Sequence, residues 1–291
     1  MDFCDARAMT RIALAIAGSD SGGGAGIQAD LKTFAALGVY GASAITALTA
    51  QSTRGVLSVR LTPPKMVFAQ IDAALADFDV AAIKIGMLGS AEIVEAVARR
   101  LSGREPSPQP SPASGRGGVK GGMRAFVVYD PVMISSSGHS LSGEGFVAEI
   151  RSRLLPLVDC LTPNLDEAAA LLDEPRARNE DEMARQGAAL LKLGPRAVLI
   201  KGGHMPGDEA VDILVTVEGV DRFAAPRIAS RNLHGTGCTL SSAIAAEIVL
   251  GATLPEAVGK AKDFVRGAIE RGKDLALGAG AGPLLQFPLK S

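Results

Sequence analysis

Three features of the chain predict one α/β domain, a three-layer sandwich whose mostly parallel central sheet is covered by helices on both faces. The apolar runs "IALAIA" (Ile12–Ala17), "AAIKIGML", "AFVVYDP" and "RAVLIKGG" are continuous rather than alternating, as expected of strands buried on both faces. Amphipathic helical patterns separate them, which is the arrangement of βαβ units. One stretch departs from this: "VDILVTVEGVDRFAAPR" holds two strand-like segments around Glu218-Gly219 and predicts a small hairpin at the sheet edge.

In chain order, Ile12–Ala17 is the first buried strand. A glycine-rich turn leads from it to a helix with Ile27, Leu31 and Phe34 on one face, stopped by Gly38. "YGASAITALTAQ" returns as a strand. In "TPPKMVFAQIDAALADF", Thr62 is the expected N-cap and the prolines fall in the first turn. Val67, Ile71, Leu75 and Phe78 then recur at helical spacing. Ser90 caps "AEIVEAVARRL", and Thr253 with Glu256 forms a T-x-x-E capping box for a long final helix. The stretch "SGREPSPQPSPASGRGGVKGG", residues 102–122, has no apolar periodicity and cannot bury enough surface to offset the entropy of ordering. It is expected to be a solvated, disordered insertion between a helix and the next strand. Residues 1–10 read as a loose tail, so the single domain runs over 11–291.

Composition narrows the function classes. Hydrophobic residues make up 47% and charged residues 21%, a balance that supports a folded globular chain rather than a disordered one. A formal net charge of -1 gives no basic excess to suggest nucleic acid or a membrane surface, so any anionic ligand must be met by local groups. No stretch approaches a membrane span, and the first apolar run is too short for an export signal. Cys4, Cys160 and Cys238 are odd in number and far apart, with no CxxC pair. That argues against a disulfide framework or a zinc site, and for a reducing, cytoplasmic setting.

In an open parallel sheet, ligands bind beyond the carboxyl ends of the strands. Polar residues gather at those ends: "GSDSGGGAG" after the first strand, Gln51 after the second, "GML", Asp130, "TPN", and "KGGH" after the sixth. "HGTGC" is the sharpest signal. Gly235 and Gly237 permit a tight turn while Thr236, Gly237 and Cys238 aim N–H groups along the following helix, whose buried stripe is Leu240, Ile244 and Ile248. Unpaired N–H groups and the positive end of the helix dipole make an anion site; an ordinary glycine loop before a helix is the alternative. "NLDE" puts Asn164 and Glu167 on one face of a first helical turn, where Glu167 could hold a hydrated Mg²⁺ or simply favour the dipole. Lys201, ending an apolar strand, could meet a phosphate. His139 and His204 read as loop histidines. No GxxxxGK[ST] occurs, and "GSDSGGGAG" is not a clean GxGxxG, so dinucleotide binding is a weak competitor.

Taken together, "AIAGSDSGGGAGIQADLKTF", "YGASAITALTAQ", "KIGML", "DPVM", "LTPNLDEA", "KGGH" and "HGTGCTLSSAIAA" closely resemble the hydroxymethylpyrimidine/phosphomethylpyrimidine kinases of thiamine biosynthesis, in the ribokinase superfamily. The resemblance runs from about Ile12 to the C-terminus, interrupted by the insertion. It implies a ribokinase-like sandwich, a homodimer, and two phosphorylations at one site that require ATP and Mg²⁺. 4-Amino-5-hydroxymethyl-2-methylpyrimidine would become its monophosphate and then its diphosphate. By resemblance Gln51 hydrogen-bonds the aminopyrimidine, Met87 and Val132 wall the ring, and Gly18 to Asp20 approach it from below. Asp130 and Glu167 would handle metal, Asn164 and Lys201 the nucleotide phosphates, and Gly235 to Cys238 the anion hole. Pyridoxal kinases share the fold and most of the motifs, and a binding protein that keeps the fold without turnover is a third class.

The resemblance also sharpens one residue. Most ribokinase-like enzymes carry GxGD where this chain has GTGC, so Cys238 stands where an acid acts as base. A helix N-terminus lowers a thiol pKa, so a thiolate near neutral pH is expected. A less anionic side chain would also tolerate a substrate that already bears a phosphate.

Overall fold

Strand β1 (Ile12–Asp20) shows how the sequence sorts the layers. Ile12, Leu14 and Ile16 point to one face of the sheet, Ala13, Ala15 and Ala17 to the other, and all six are buried. The alanine face packs against a helix that is itself rich in buried alanines, Ala243, Ala245 and Ala246. Small side chains on both partners let that helix lie close to the strand, which fixes the position of its N-terminus.

The computed structural model describes residues 11–103, 125–133 and 145–288. The expected tail, nearly all of the expected insertion and His139 lie outside the described residues. After β1 come α1 (Gly26–Ala36), β2 (Tyr40–Ser52), β3 (Gly55–Leu61), α2 (Pro64–Asp77), β4 (Val80–Ile85) and α3 (Ala91–Leu101). They are followed by β5 (Phe126–Tyr129) and α4 (Phe146–Glu149), which runs on through a π-helical turn to Leu154. Then come β6 (Cys160–Leu161), α5 (Leu165–Leu172), α6 (Glu180–Leu191), β7 (Ala197–Lys201), β8 (Glu209–Thr216) and β9 (Val220–Pro226). Helices α7 (Thr236–Val249) and α8 (Leu254–Gly272) complete the order.

Among the described residues the strands form one sheet in the order β3-β2-β1-β4-β5-β6-β7-β8-β9. β2, β1, β4, β5, β6 and β7 pair in parallel, while β3 on one edge and the β8–β9 hairpin on the other are antiparallel additions. Helices α2 to α6 cover the Leu14/Ile16 face, and α1, α7 and α8 cover the alanine face. The chain leaves β1 toward β2 on one side and returns to β4 on the other. That reversal opens the crevice where an open α/β sheet binds ligands.

Most expected elements are present, including the Glu218-Gly219 hairpin, the Ser90 cap (Oγ accepting from the Ile93 amide at 3.3 Å) and the Thr253–Glu256 pair. Three details differ. The N-cap of α2 is Pro63, not Thr62, because the Thr62 amide is drawn to the Thr46 carbonyl at 2.8 Å beside β2. Gln51 lies within β2, at a register shift against β3, rather than after the strand. β3 itself carries no buried run: Leu57, Ser58, Val59, Arg60 and Leu61 are exposed, so periodicity of burial gave no signal there.

Candidate active site

One pocket at the carboxyl ends of the parallel strands gathers every expected site residue except Thr236. Gly18, Asp20, Gln51, Met87, Asp130, Val132, Asn164, Glu167, Lys201, Gly235, Gly237 and Cys238 all line it. Thr236 is turned into its own loop, with its amide and hydroxyl both donating to the Leu233 carbonyl (3.2 and 2.6 Å). The anion-hole expectation therefore narrows to the amides of Gly237 and Cys238, at helix positions whose N–H groups have no intrahelical partner.

The charged part of the pocket is built from three strand ends. Lys201 closes β7, and its Nζ donates to Oδ1 of Asp130 just beyond β5, with Glu167 Oε2 3.8 Å away. Asn164 is the N-cap of α5 rather than a first-turn residue. Its Oδ1 accepts from the Asp166 and Glu167 amides (2.9 Å each), and Glu167 Oε2 accepts from the Asn164 amide at 2.7 Å. That capping box aims the Glu167 carboxylate at Lys201. Burial pushes the Glu167 carboxyl up to about 7; Lys201 pulls it down and Asp130 adds to the rise. Burial also opposes the charge of Lys201, but Asp130 and Glu167 outweigh it and hold the ammonium above its ordinary range. Two carboxylates and one cation thus share a water-poor corner.

Helix α7 enters this corner through Gly235, whose φ of 87° is left-handed and whose Cβ would lie 1.9 Å from the Gly24 carbonyl oxygen. Gly237 is next to the ion pair: a Cβ there would sit 3.2 Å from Lys201 Nζ and 3.4 Å from Asp130 Oδ2. Cys238 follows, half-buried. The expected lowering of its thiol pKa is not what the structure gives, because burial pushes it up to about 11. Lys84 pulls it down, Asp30 and Asp130 push it further up, and the Gly26 amide gives a little back. The dipole of the helix end is a local effect, and desolvation by the surrounding fold exceeds it.

The remaining part of the pocket is less charged. Asp20 is buried and fully engaged: Oδ1 accepts from the Gly22 amide (2.8 Å), Oδ2 from Gly24 (3.0 Å) and Ala25 (2.8 Å), and His234 Nε2 stands 3.0 Å from Oδ2. Burial works against the Asp20 charge, but these bonds, that of His234 first, hold its carboxyl below its ordinary value. Asp20 therefore shapes the glycine loop, while the Ser19 carbonyl accepts from Thr49 Oγ1 at 2.8 Å. Gln51 Nε2 is 3.1 Å from the same His234 nitrogen. Met87 presses on Gly18, where a Cβ would sit 3.2 Å from its sulfur, and with Val132 it supplies the apolar walls.

Sequence reasoning missed Lys84, Asp30 and His234. Lys84 is wholly buried in β4, pairs with Asp30 at 2.7 Å and reaches the pocket; Ser242 of α7 donates to the same Asp30 oxygen at 2.7 Å. The signal was a single lysine inside "AAIKIGML", since a charge in a doubly covered strand must be paired. His204 is exposed, as expected of a loop residue.

The family model for phosphomethylpyrimidine kinase matches residues 20–110 and 119–285. This chain belongs to that family. The hydroxymethylpyrimidine/phosphomethylpyrimidine kinase of Rhizobium meliloti (strain 1021) is 49% identical over 279 residues, 96% of this chain and 98% of the relative. The crystal structure of the phosphomethylpyrimidine kinase from Clostridium difficile 630 superposes with a TM-score of 0.73 at 40% identity, covering 89% of this chain and 99% of that one. The pyridoxal kinase of Staphylococcus aureus in complex with AMP-PCP and pyridoxal gives a TM-score of 0.80 at 29% identity, covering 94% and 93%. The fold is ribokinase-like, and the chain is a phosphotransferase of thiamine-pathway pyrimidines.

Proposed function

We propose that the pocket carries out two successive phosphoryl transfers from ATP, first to the hydroxymethyl group of 4-amino-5-hydroxymethyl-2-methylpyrimidine and then to the resulting monophosphate. The observation that carries this reading is the meeting of the α7 amides with the Asp130–Lys201 pair, beside a slot lined by Gln51, Met87 and Val132. Phosphoryl transfer depends chiefly on position and charge. The Gly237 and Cys238 amides and the Lys201 ammonium balance the negative charge of the transferred group, while Asn164 helps seat the nucleotide phosphates. Gln51 hydrogen-bonds the aminopyrimidine.

The donor set suits Mg²⁺, which takes one or two carboxylates and completes its shell with water and phosphate oxygens. Asp130 and Glu167 would hold the ion, which would supply positive charge toward the phosphates. Lys201 shields the two carboxylates from each other until phosphate enters.

In the first transfer the thiolate form of Cys238 accepts the hydroxyl proton. With its thiol at about 11, only about one molecule in 10⁴ carries the thiolate at neutral pH. The resting pocket is thereby spared a negative charge at the point where the second substrate brings its own phosphate, which an aspartate would repel.

Purified protein with MgATP and the pyrimidine is expected to yield both phosphates, with pyridoxal a poorer substrate. Formation of pyridoxal 5′-phosphate alone would establish the second reading, which rests on likeness of fold. We further infer a homodimer joined through edge strand β3, where Leu57, Val59 and Leu61 form an exposed apolar row. Sedimentation of Leu57→Glu, expected to be monomeric, tests it. The free thiols of Cys160 and Cys238 fit a reducing cytoplasm. Among the described residues, no helix is long and apolar enough to cross a membrane.

A further inference from the structure

Beyond α8 residues 273–288 form a strap beside the pocket, tied on one side to the segment 232–239 and on the other to Thr53. Asn232 makes several of the ties. Only 1% exposed, it donates from Nδ2 to the carbonyls of Gly272 (2.7 Å) and Leu275 (2.8 Å), and its Oδ1 accepts from the Gly282 amide at 3.0 Å. Two residues on, the His234 amide donates to the Gly282 carbonyl at 3.2 Å. Buried Gln286 donates to Thr239 Oγ1 at 3.1 Å, in the turn of α7 next to Cys238. At the other wall the Gly280 amide donates to Thr53 Oγ1 at 3.1 Å, two residues past Gln51. The strap lies so close there that a Cβ on Gly280 would sit 1.8 Å from the Thr53 carbonyl oxygen.

The strap therefore bridges the turn that follows Gln51 and the loop that carries His234, and the side chains of Gln51 and His234 meet at 3.1 Å. Asn232 does not line the pocket, so any effect it has on the substrate passes through what it holds. We propose that Asn232 and the strap form a positioning device for the pyrimidine slot, setting the spacing of Gln51 and His234. The inference rests on the reading that Gln51 recognises the pyrimidine. A carboxamide suits the task because it donates twice and accepts once in a fixed plane, whereas a carboxylate cannot donate to the Gly272 and Leu275 carbonyls.

The test varies pyrimidine and ATP separately in three variants. Gln51→Ala reports on the slot itself. Asn232→Asp removes the two donors, and Thr53→Val removes the acceptor for Gly280 at a partly exposed turn that tolerates the change. Loss of one hydrogen bond's influence corresponds to about tenfold in affinity. The expected result is a pyrimidine KM raised about tenfold in Asn232→Asp and a few-fold in Thr53→Val, with the ATP KM within about twofold of wild type. If Asn232→Asp does not fold, Thr53→Val decides. An unchanged pyrimidine KM in the folded strap variants overturns the inference, as does a parallel rise for both substrates with a lowered Tm. If Gln51→Ala itself leaves the pyrimidine KM unchanged, the slot reading fails and takes this inference with it.

Discussion

Asp20 and Glu167 line one pocket, each less than a tenth exposed, yet the fold treats them in opposite ways. Asp20 receives three backbone amides and faces His234, and its acidity increases despite burial. Glu167 receives one amide, shares Lys201 with Asp130, and is pushed up to about 7. A carboxylate saturated by amides is architecture: its charge is fixed before any ligand arrives. One that competes for a single ammonium responds to whatever charge enters. The same chemical group thus stabilises a loop in one place and, on the proposed function, is left responsive to metal and phosphate in the other.

The comparison is broken most severely by removing the cation on which the responsive corner depends. Lys201→Ala should lower kcat by roughly 10³-fold, the upper range for losing one charge-stabilising group. Rapid-quench measurement of the first transfer checks it, and a loss under tenfold would mean that the α7 amides suffice. Cys238→Ser comes next, with a loss of about 10²-fold. Because the thiol sits near 11, wild-type turnover should rise with pH through 8 to 10 and the serine variant should not. A wild-type plateau from pH 7 would restore the thiolate that the helix end alone suggests.

Glu167→Gln sharpens the contrast through pH. The carboxyl is neutral below about 7 and ionised above it, so wild-type kcat/KM should fall below pH 7, and the variant should lose that limb along with about tenfold of its rate. Linkage gives a second reading with a definite sign. A carboxyl raised above its unfolded value binds an extra proton in the fold, so its contribution to stability is present in acid and is lost as pH rises from about 4.5 toward 7. The variant should therefore gain in Tm on wild type at pH 8 and not at pH 4. Asp20→Asn has the smallest effect on chemistry and a larger one on the fold. It turns a donor toward backbone amides and should cost about 1–3 kcal/mol, read by urea unfolding at pH 7. Since the Asp20 carboxyl is lowered, its contribution is present above about 3.8 and is lost as pH falls through the folded value.

The sequence made the corner legible where a residue ended an apolar run. Lys201, Asp130 and the GTGC turn each stand where a parallel strand or a helix must present polar groups, and the pocket collects them. It was less informative where the pocket is built by residues distant in sequence. His234 lies 214 positions from Asp20, and the Lys84–Asp30 pair spans 54, so no local pattern joins them. The sign of the Cys238 shift was missed for the same reason: a helix end is visible in a motif, while the burial that overrides it belongs to the whole fold.

Carboxyl carbon NMR titration of the metal-free protein, with Asp20→Asn and Glu167→Gln providing the assignments, tests the contrast most directly. Glu167 should titrate near pH 7 and Asp20 below 3.8, and MgADP should move only the Glu167 midpoint. Two ordinary carboxylate midpoints, or a ligand shift at Asp20 with none at Glu167, would contradict the division of labour between them.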